Sequence, residues 1–234
     1  REAIISMGGE VRFHTKVTGI RTKRSIDFSD EPALAMLHLE DTRTNIGEDL
    51  LTDVAVLAIG HSARDTFRLL NLSDIKMEPK PFAVGVRVEH PQDMIDESQY
   101  GKNAPESLPA AAYKLTAKTK EGRGVYTFCM CPGGYVVNAS SEENRLAVNG
   151  MSYSGRNGKN ANSAEDFPEK GILGGLAFQR QLEEAAFAEG QGKIPVQLFG
   201  DFKKNVPSSS AGAIAPQMKG AYSWGNVRSI FPEF

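Results

Sequence analysis

The chain has 234 residues, 40% hydrophobic and 24% charged, with a formal net charge of -2. A core of normal size can be built from this composition, and no basic field calls for nucleic acid or an anionic membrane. No run approaches the roughly 18 consecutive apolar residues that a membrane span needs.

Residues 1–7 predict the end of a helix, closed by Gly8-Gly9. There is no initiator Met and no signal peptide, and the chain stops at Phe231-Pro232-Glu233-Phe234 without a polar tail. Both ends read as cut from something longer. Val11, Phe13, Thr15 and Val17 alternate with Arg12, His14 and Lys16, which predicts a strand. Residues 20–26 either extend it or turn it back. Pro32 starts a second strand, with Ala33, Ala35, Leu37 and Leu39 on one face, and Asn45-Ile46-Gly47 marks a turn.

Residues 51–60 form a nearly continuous apolar run ending at Gly60, as expected of a strand buried on both faces. Residues 65–70 predict a short helix. Composition then shifts, and prolines and charges over residues 76–81 place a boundary after residue 75. Residues 81–89 predict a strand, and residues 91–111 read as irregular. Residues 113–119 and 124–130 are expected to pair across 120–123. Pro132-Gly133-Gly134 is a turn into a strand at 135–138, with another over 146–151. Residues 154–165 are a Gly-, Asn- and Ser-rich loop. Residues 173–189 are the one clear helix, with Leu176, Phe178, Leu182, Ala185, Ala186 and Phe187 at helical spacing. The segment 195–220 reads as coil around Ser208-Ser209-Ser210.

The chain's two cysteines, Cys129 and Cys131, flank Met130. In an extended strand they share a face. A disulfide across one residue is strained, and two cysteines make no secreted scaffold, so a reducing, cytoplasmic compartment is expected. A redox pair or half of a metal site competes with two buried structural thiols, the commoner outcome. No metal site is expected, because no further ligands stand close in sequence.

A glycine ending a buried strand lets backbone approach a phosphate or sugar, but Gly60 equally ends any buried strand. His61 follows that strand directly, so it alone of the four histidines is placed to meet a cofactor; His14 and His38 sit on predicted strands. The sequence has no G-x-G-x-x-G. Gly150 to Asn157 comes near a phosphate loop, but Arg156 and Asn157 stand where Lys and Ser or Thr are required. Tyr135, Asn138, Asn149, Tyr153, Ser154 and Arg156 cluster around this glycine-rich stretch, as pocket lining or as turn residues.

Taken together, Gly8-Gly9-Glu10-Val11-Arg12-Phe13, Val56-Leu57-Ala58-Ile59-Gly60-His61-Ser62-Ala63-Arg64-Asp65, Phe82-Ala83-Val84-Gly85-Val86-Arg87-Val88-Glu89, Thr127-Phe128-Cys129-Met130-Cys131-Pro132-Gly133-Gly134-Tyr135 and Asn149-Gly150-Met151-Ser152-Tyr153-Ser154 resemble a bacterial family. It is the family of uncharacterised FAD-dependent dehydrogenases whose cofactor domain is similar to glutathione reductase. The resemblance implies an α+β to α/β fold: residues 1–75 as an incomplete inner part of the FAD-binding domain, and residues 76–234 as an inserted, mainly β substrate domain with one long helix. It places Val17 beside the adenine, and Ala58, Ile59 and Gly60, with His61 next to them, near the cofactor's diphosphate and ribose. The sequence departs from the family at Glu165-Asp166-Phe167-Pro168, where relatives continue with an apolar strand.

The function so implied is hydride transfer between a small-molecule substrate and flavin, with a nicotinamide cofactor or another electron partner. Cys129, Cys131 and Tyr135 are the candidates for residues facing the substrate. The isolated chain is expected to be inactive and to retain little or no FAD. The rival is a non-catalytic α+β module that binds a small ligand or partner. A G-x-G-x-x-G upstream and a second glycine-rich segment downstream would decide between them.

Overall fold

The computed structural model describes residues 1–24, 32–73, 75–80, 82–120, 122, 124–154, 160–161 and 173–232. These divide into two compact units, Arg1–Glu78 and Pro79–Phe234.

The first unit opens with a short helix, α1 (Glu2–Ser6), which stops where Gly8 takes a φ of 82°. Strands β1 (Thr15–Arg24), β2 (Pro32–Asp41) and β3 (Gly47–Leu51) form an antiparallel sheet in that order. The alternation from Val11 predicts an earlier start for β1. The strand begins at Thr15 because His14 has a φ of 56°, which breaks extended backbone. The sheet leaves little room around His38: a Cβ on Gly19 would lie 2.9 Å from its Cβ, and one on Gly47 would lie 2.6 Å from its Nε2. His38 Nδ1 is 2.7 Å from Asp49 on the adjoining strand.

The apolar run at 51–60 departs from expectation. Only Leu51 belongs to a strand, and residues 54–60 have no ladder partner among the described residues. Val54 is 77% exposed and Val56 88% exposed. A strand exists only through hydrogen bonds to a neighbour, and the pairing of β3 with β2 ends at Leu51, the first residue of this run. Helix α2 (Arg64–Leu72) follows, with Asp65 in its first turn, where a negative charge favours the helix dipole. Lys16 Nζ on β1 meets Asp65 Oδ2 at 2.7 Å and ties the helix to the sheet.

In the second unit, the strand expected over residues 81–89 is absent from the described residues; a two-residue strand β4 (His90–Pro91) replaces it. Helix α3 (Gln92–Tyr100) then occupies a stretch expected to be irregular. Asp96 Oδ1 accepts hydrogen bonds from Gln92 Nε2 at 2.8 Å and from the buried Ala111 N–H at 2.7 Å. Strands β5 (Thr116–Lys118) and β6 (Gly124–Tyr126) pair as a hairpin. β7 (Tyr135–Asn138) pairs antiparallel with β8 (Val148–Met151), and β9 (Asn160–Ala161) pairs with β4.

Helix α4 (Gly174–Glu189) buries Phe178 and Leu182, one turn apart. The core of this unit also holds Met130, Val136, Leu146 and Ile194. The expected coil after residue 195 contains structure: β10 (Ile194–Val196), α5 (Phe199–Lys204), β11 (Met218–Lys219) and β12 (Tyr222–Trp224). β10 pairs parallel with β12, and β11 pairs parallel with β7. Ser208 is buried, accepting from the Leu198 N–H at 2.9 Å and donating to Asp201 at 2.7 Å, so the serine run has a structural member. No helix among the described residues is long and apolar enough to cross a membrane.

Candidate functional site

The sheet β11-β7-β8 organises the polar and aromatic residues of the second unit. Successive side chains on a strand point to opposite faces. Val136 turns inward and is 3% exposed. Tyr135 and Val137 therefore belong to the other face, with their direct partners Met151, Asn149 and Lys219. That face is open: Met151 and Tyr153 are both exposed.

The rings of Tyr135 and Tyr153 meet edge to face, 5.7 Å between centroids at 70°. Lys219 Nζ lies 4.6 Å from the Tyr135 centroid and 5.7 Å from that of Tyr153. Among the described residues no carboxylate pairs with this ammonium. Beside it, the half-buried Arg87 donates to Asn149 Oδ1 at 2.7 Å. Burial holds the Arg87 guanidinium below its usual pKa, and the nearby Cys131 and Cys129 oppose that shift. The face thus combines two tyrosine rings, a thioether and two cations, a set suited to a ligand with an apolar or planar body and negative charge.

The thiols differ from expectation. Both are free, Cys129 exposed and Cys131 half-exposed, while Met130 between them is 6% exposed. The buried turn at Pro132-Gly133-Gly134 follows directly and leads into β7, so Met130 faces the core while the two thiols beside it stay at least partly exposed. Cys131 C=O accepts from the Gly134 N–H at 3.1 Å, and a Cβ on Gly134 would lie 2.8 Å from the Cys131 Cβ.

In the first unit, Val17 is half-buried on β1, opposite Leu39. Ala58, Ile59, Gly60 and His61 are exposed and outside regular structure. Gly60 has a φ of 71°, with nothing within 4 Å of where a Cβ would stand. The N–H groups of Ala58 to His61 make no hydrogen bond among the described residues. Open backbone donors and an unobstructed glycine are compatible with the phosphates and ribose of a dinucleotide. The Lys16–Asp65 pair links the strand that carries Val17 to the helix that begins just after His61.

The cluster expected near the glycine-rich stretch divides. Tyr135 and Tyr153 meet, and Asn149 binds Arg87. Asn138 instead accepts from the Ser140 N–H at 2.9 Å, a local turn. Gly155, Arg156 and Asn157, and the departure at residues 165–168, lie outside the described residues. His90 is buried and bonds Tyr113 Oη through Nε2 at 2.8 Å. No group of three or more His, Cys, Asp or Glu among the described residues is placed to hold a metal ion. Sequence reasoning missed Arg87 and Lys219, whose partners lie more than 60 residues away along the chain. Shallow concavities beside the β5–β6 hairpin and at one end of the N-terminal sheet contain none of the candidate residues.

A family described as "FAD-dependent protein, C-terminal domain-like" matches residues 81–234. A protein of Clostridium beijerinckii, described only as uncharacterized, is 43% identical over 245 residues, covering 100% of this chain and 44% of its own length. The chain therefore spans less than half the length of that relative.

Proposed function

Because the chain belongs to the FAD-dependent protein, C-terminal domain-like family, we propose that the whole protein is a flavin oxidoreductase of the dehydrogenase type. It passes hydride between a small-molecule substrate and FAD, with a nicotinamide cofactor or another electron carrier as partner. On this reading, residues 1–75 are the inner part of a glutathione reductase-like FAD-binding domain, and residues 76–234 are the substrate domain. Val17 and the open backbone of Ala58, Ile59, Gly60 and His61 would hold the cofactor. FAD, when bound, supplies the site that accepts or donates hydride.

The observation that carries the substrate side is the open face where Tyr135, Tyr153 and Lys219 converge. The tyrosine rings offer apolar area with little rotamer entropy to lose, and Lys219 supplies a charge. These residues bind and orient, and Cys131 lies one turn from Tyr135. The exposed run at 54–59 supports the cofactor-domain reading: Val54, Val56, Leu57 and Ile59 all face water, and such an exposed apolar patch is the mark of a surface that another part of a protein covers.

The test is made on the full-length protein. Purified in its native state, it is expected to carry flavin that is bleached anaerobically by its substrate, while the isolated 234-residue chain retains little or none. A folded full-length protein without flavin, and without affinity for added FAD, would leave a binding module as the reading.

A further inference from the structure

We propose that Cys129 and Cys131 form a reversible dithiol–disulfide pair that undergoes thiol–disulfide exchange with an external disulfide. Both thiols are free, and they bracket a buried residue: Cys129 exposed, Met130 buried, Cys131 half-exposed. That alternation sends Met130 into the core and both sulfurs to the solvent side. Residues 127–131 belong to no strand, so no ladder fixes their spacing; at full extension residues two apart have Cα atoms roughly 6.5–7 Å from one another, at the upper edge of the range a disulfide tolerates. Closure is therefore feasible but strained. Strained, exposed disulfides have the more oxidising potentials and are the ones that open again.

The surroundings give the two thiols different roles. Cys131 is held by the turn that follows it, where Gly133 has a φ of 60° and the Gly134 N–H binds the Cys131 carbonyl at 3.1 Å. A Cβ on Gly134 would lie 2.8 Å from the Cys131 Cβ, so the turn also packs against this residue. Cys129 is the more accessible sulfur and makes the first attack. Arg87 lies within electrostatic reach of both sulfurs, and its coupling to Cys131 is the stronger.

The exchange balances as follows. The Cys129 thiolate attacks one sulfur of a disulfide RSSR, forming a Cys129–S–S–R bond and releasing RS⁻, which is protonated. The Cys131 thiolate attacks the Cys129 sulfur, closing the intramolecular disulfide and releasing the second RS⁻, also protonated. The pair loses two electrons and two protons, and the disulfide gains them as two thiols. No flavin takes part, so the inference stands apart from hydride transfer.

The experiment treats the full-length protein with oxidised glutathione, then alkylates and digests it for mass spectrometry of the peptide holding residues 129–131. Flavin content is measured on the same sample. Wild type is expected to lose both alkylation sites and the mass of two hydrogens, reversibly with dithiothreitol. Cys131→Ser is expected to stop at a stable glutathione adduct on Cys129, with unchanged circular dichroism. Wild-type thiols that stay fully alkylatable, or that accumulate separate glutathione adducts without closing, would overturn the pair. Because flavin content is read separately, absence of flavin with a closing pair would count against hydride transfer alone.

Discussion

Lys219 on β11 holds its ammonium 4.6 Å from the ring centroid of Tyr135 on β7. The two residues are 84 positions apart, and the parallel pairing of β11 with β7 brings them together. An exposed contact of this kind is worth about 0.5–1 kcal/mol. Lys219→Ala should therefore lower stability by no more than about 1 kcal/mol, measured by chemical denaturation of the full-length protein. A larger loss would assign Lys219 to the packing of the sheet.

Leu146 is buried at 5% exposure, and its N–H binds the Glu183 carbonyl of α4 at 2.9 Å. Leu146→Ala leaves a cavity between the β8 approach and the helix. It should cost about 2–5 kcal/mol in the unfolding of this unit, read from the denaturation midpoint at constant slope.

Tyr113 donates to or accepts from His90 Nε2 at 2.8 Å, and burial raises its phenol above the ordinary value of 10.0. The folded state thus binds the phenolic proton more tightly than the unfolded state. Its contribution to stability is complete below the ordinary tyrosine range and declines as pH rises from there through the raised value. Difference absorbance between wild type and Tyr113→Phe should place this phenol's titration above that of a free tyrosine. Removal of the hydroxyl also strips a partner from the buried His90, at a cost of about 1–3 kcal/mol.

Asp65 has its carboxyl held below the usual range, chiefly by hydrogen bonding to Lys16 and further by the Thr66 N–H. A depressed carboxylate contributes stability above its ordinary range and loses it as pH falls toward the folded value. Asp65→Asn should flatten the acid limb of the stability curve. At neutral pH the change should stay within about 1 kcal/mol, because both side chains of the pair are half-exposed.

Local signals explain what the sequence makes legible. The turn at Pro132-Gly133-Gly134 announces β7, and Phe178 with Leu182 announces α4. Helix α3 is hidden because Met94 and Ile95 are its only large aliphatic residues, and its anchor is a hydrogen bond donated by the Ala111 N–H to Asp96. The run at 51–60 reads as a strand, yet strand pairing depends on a neighbour that the run itself does not encode. Tyr135 and Tyr153 could be gathered from their nearness to one glycine-rich stretch. Lys219 and Arg87 could not, since only tertiary pairing brings them to that face.

The most direct measurement is an anaerobic titration of the full-length flavoprotein with its substrate, following the flavin absorbance in wild type, Tyr135→Ala and Lys219→Ala. All three are expected to carry equal flavin, and both variants to need roughly five-fold or more substrate for half-bleaching, about the 1 kcal/mol of a lost cation or ring contact. Bleaching curves that coincide in all three proteins would contradict this.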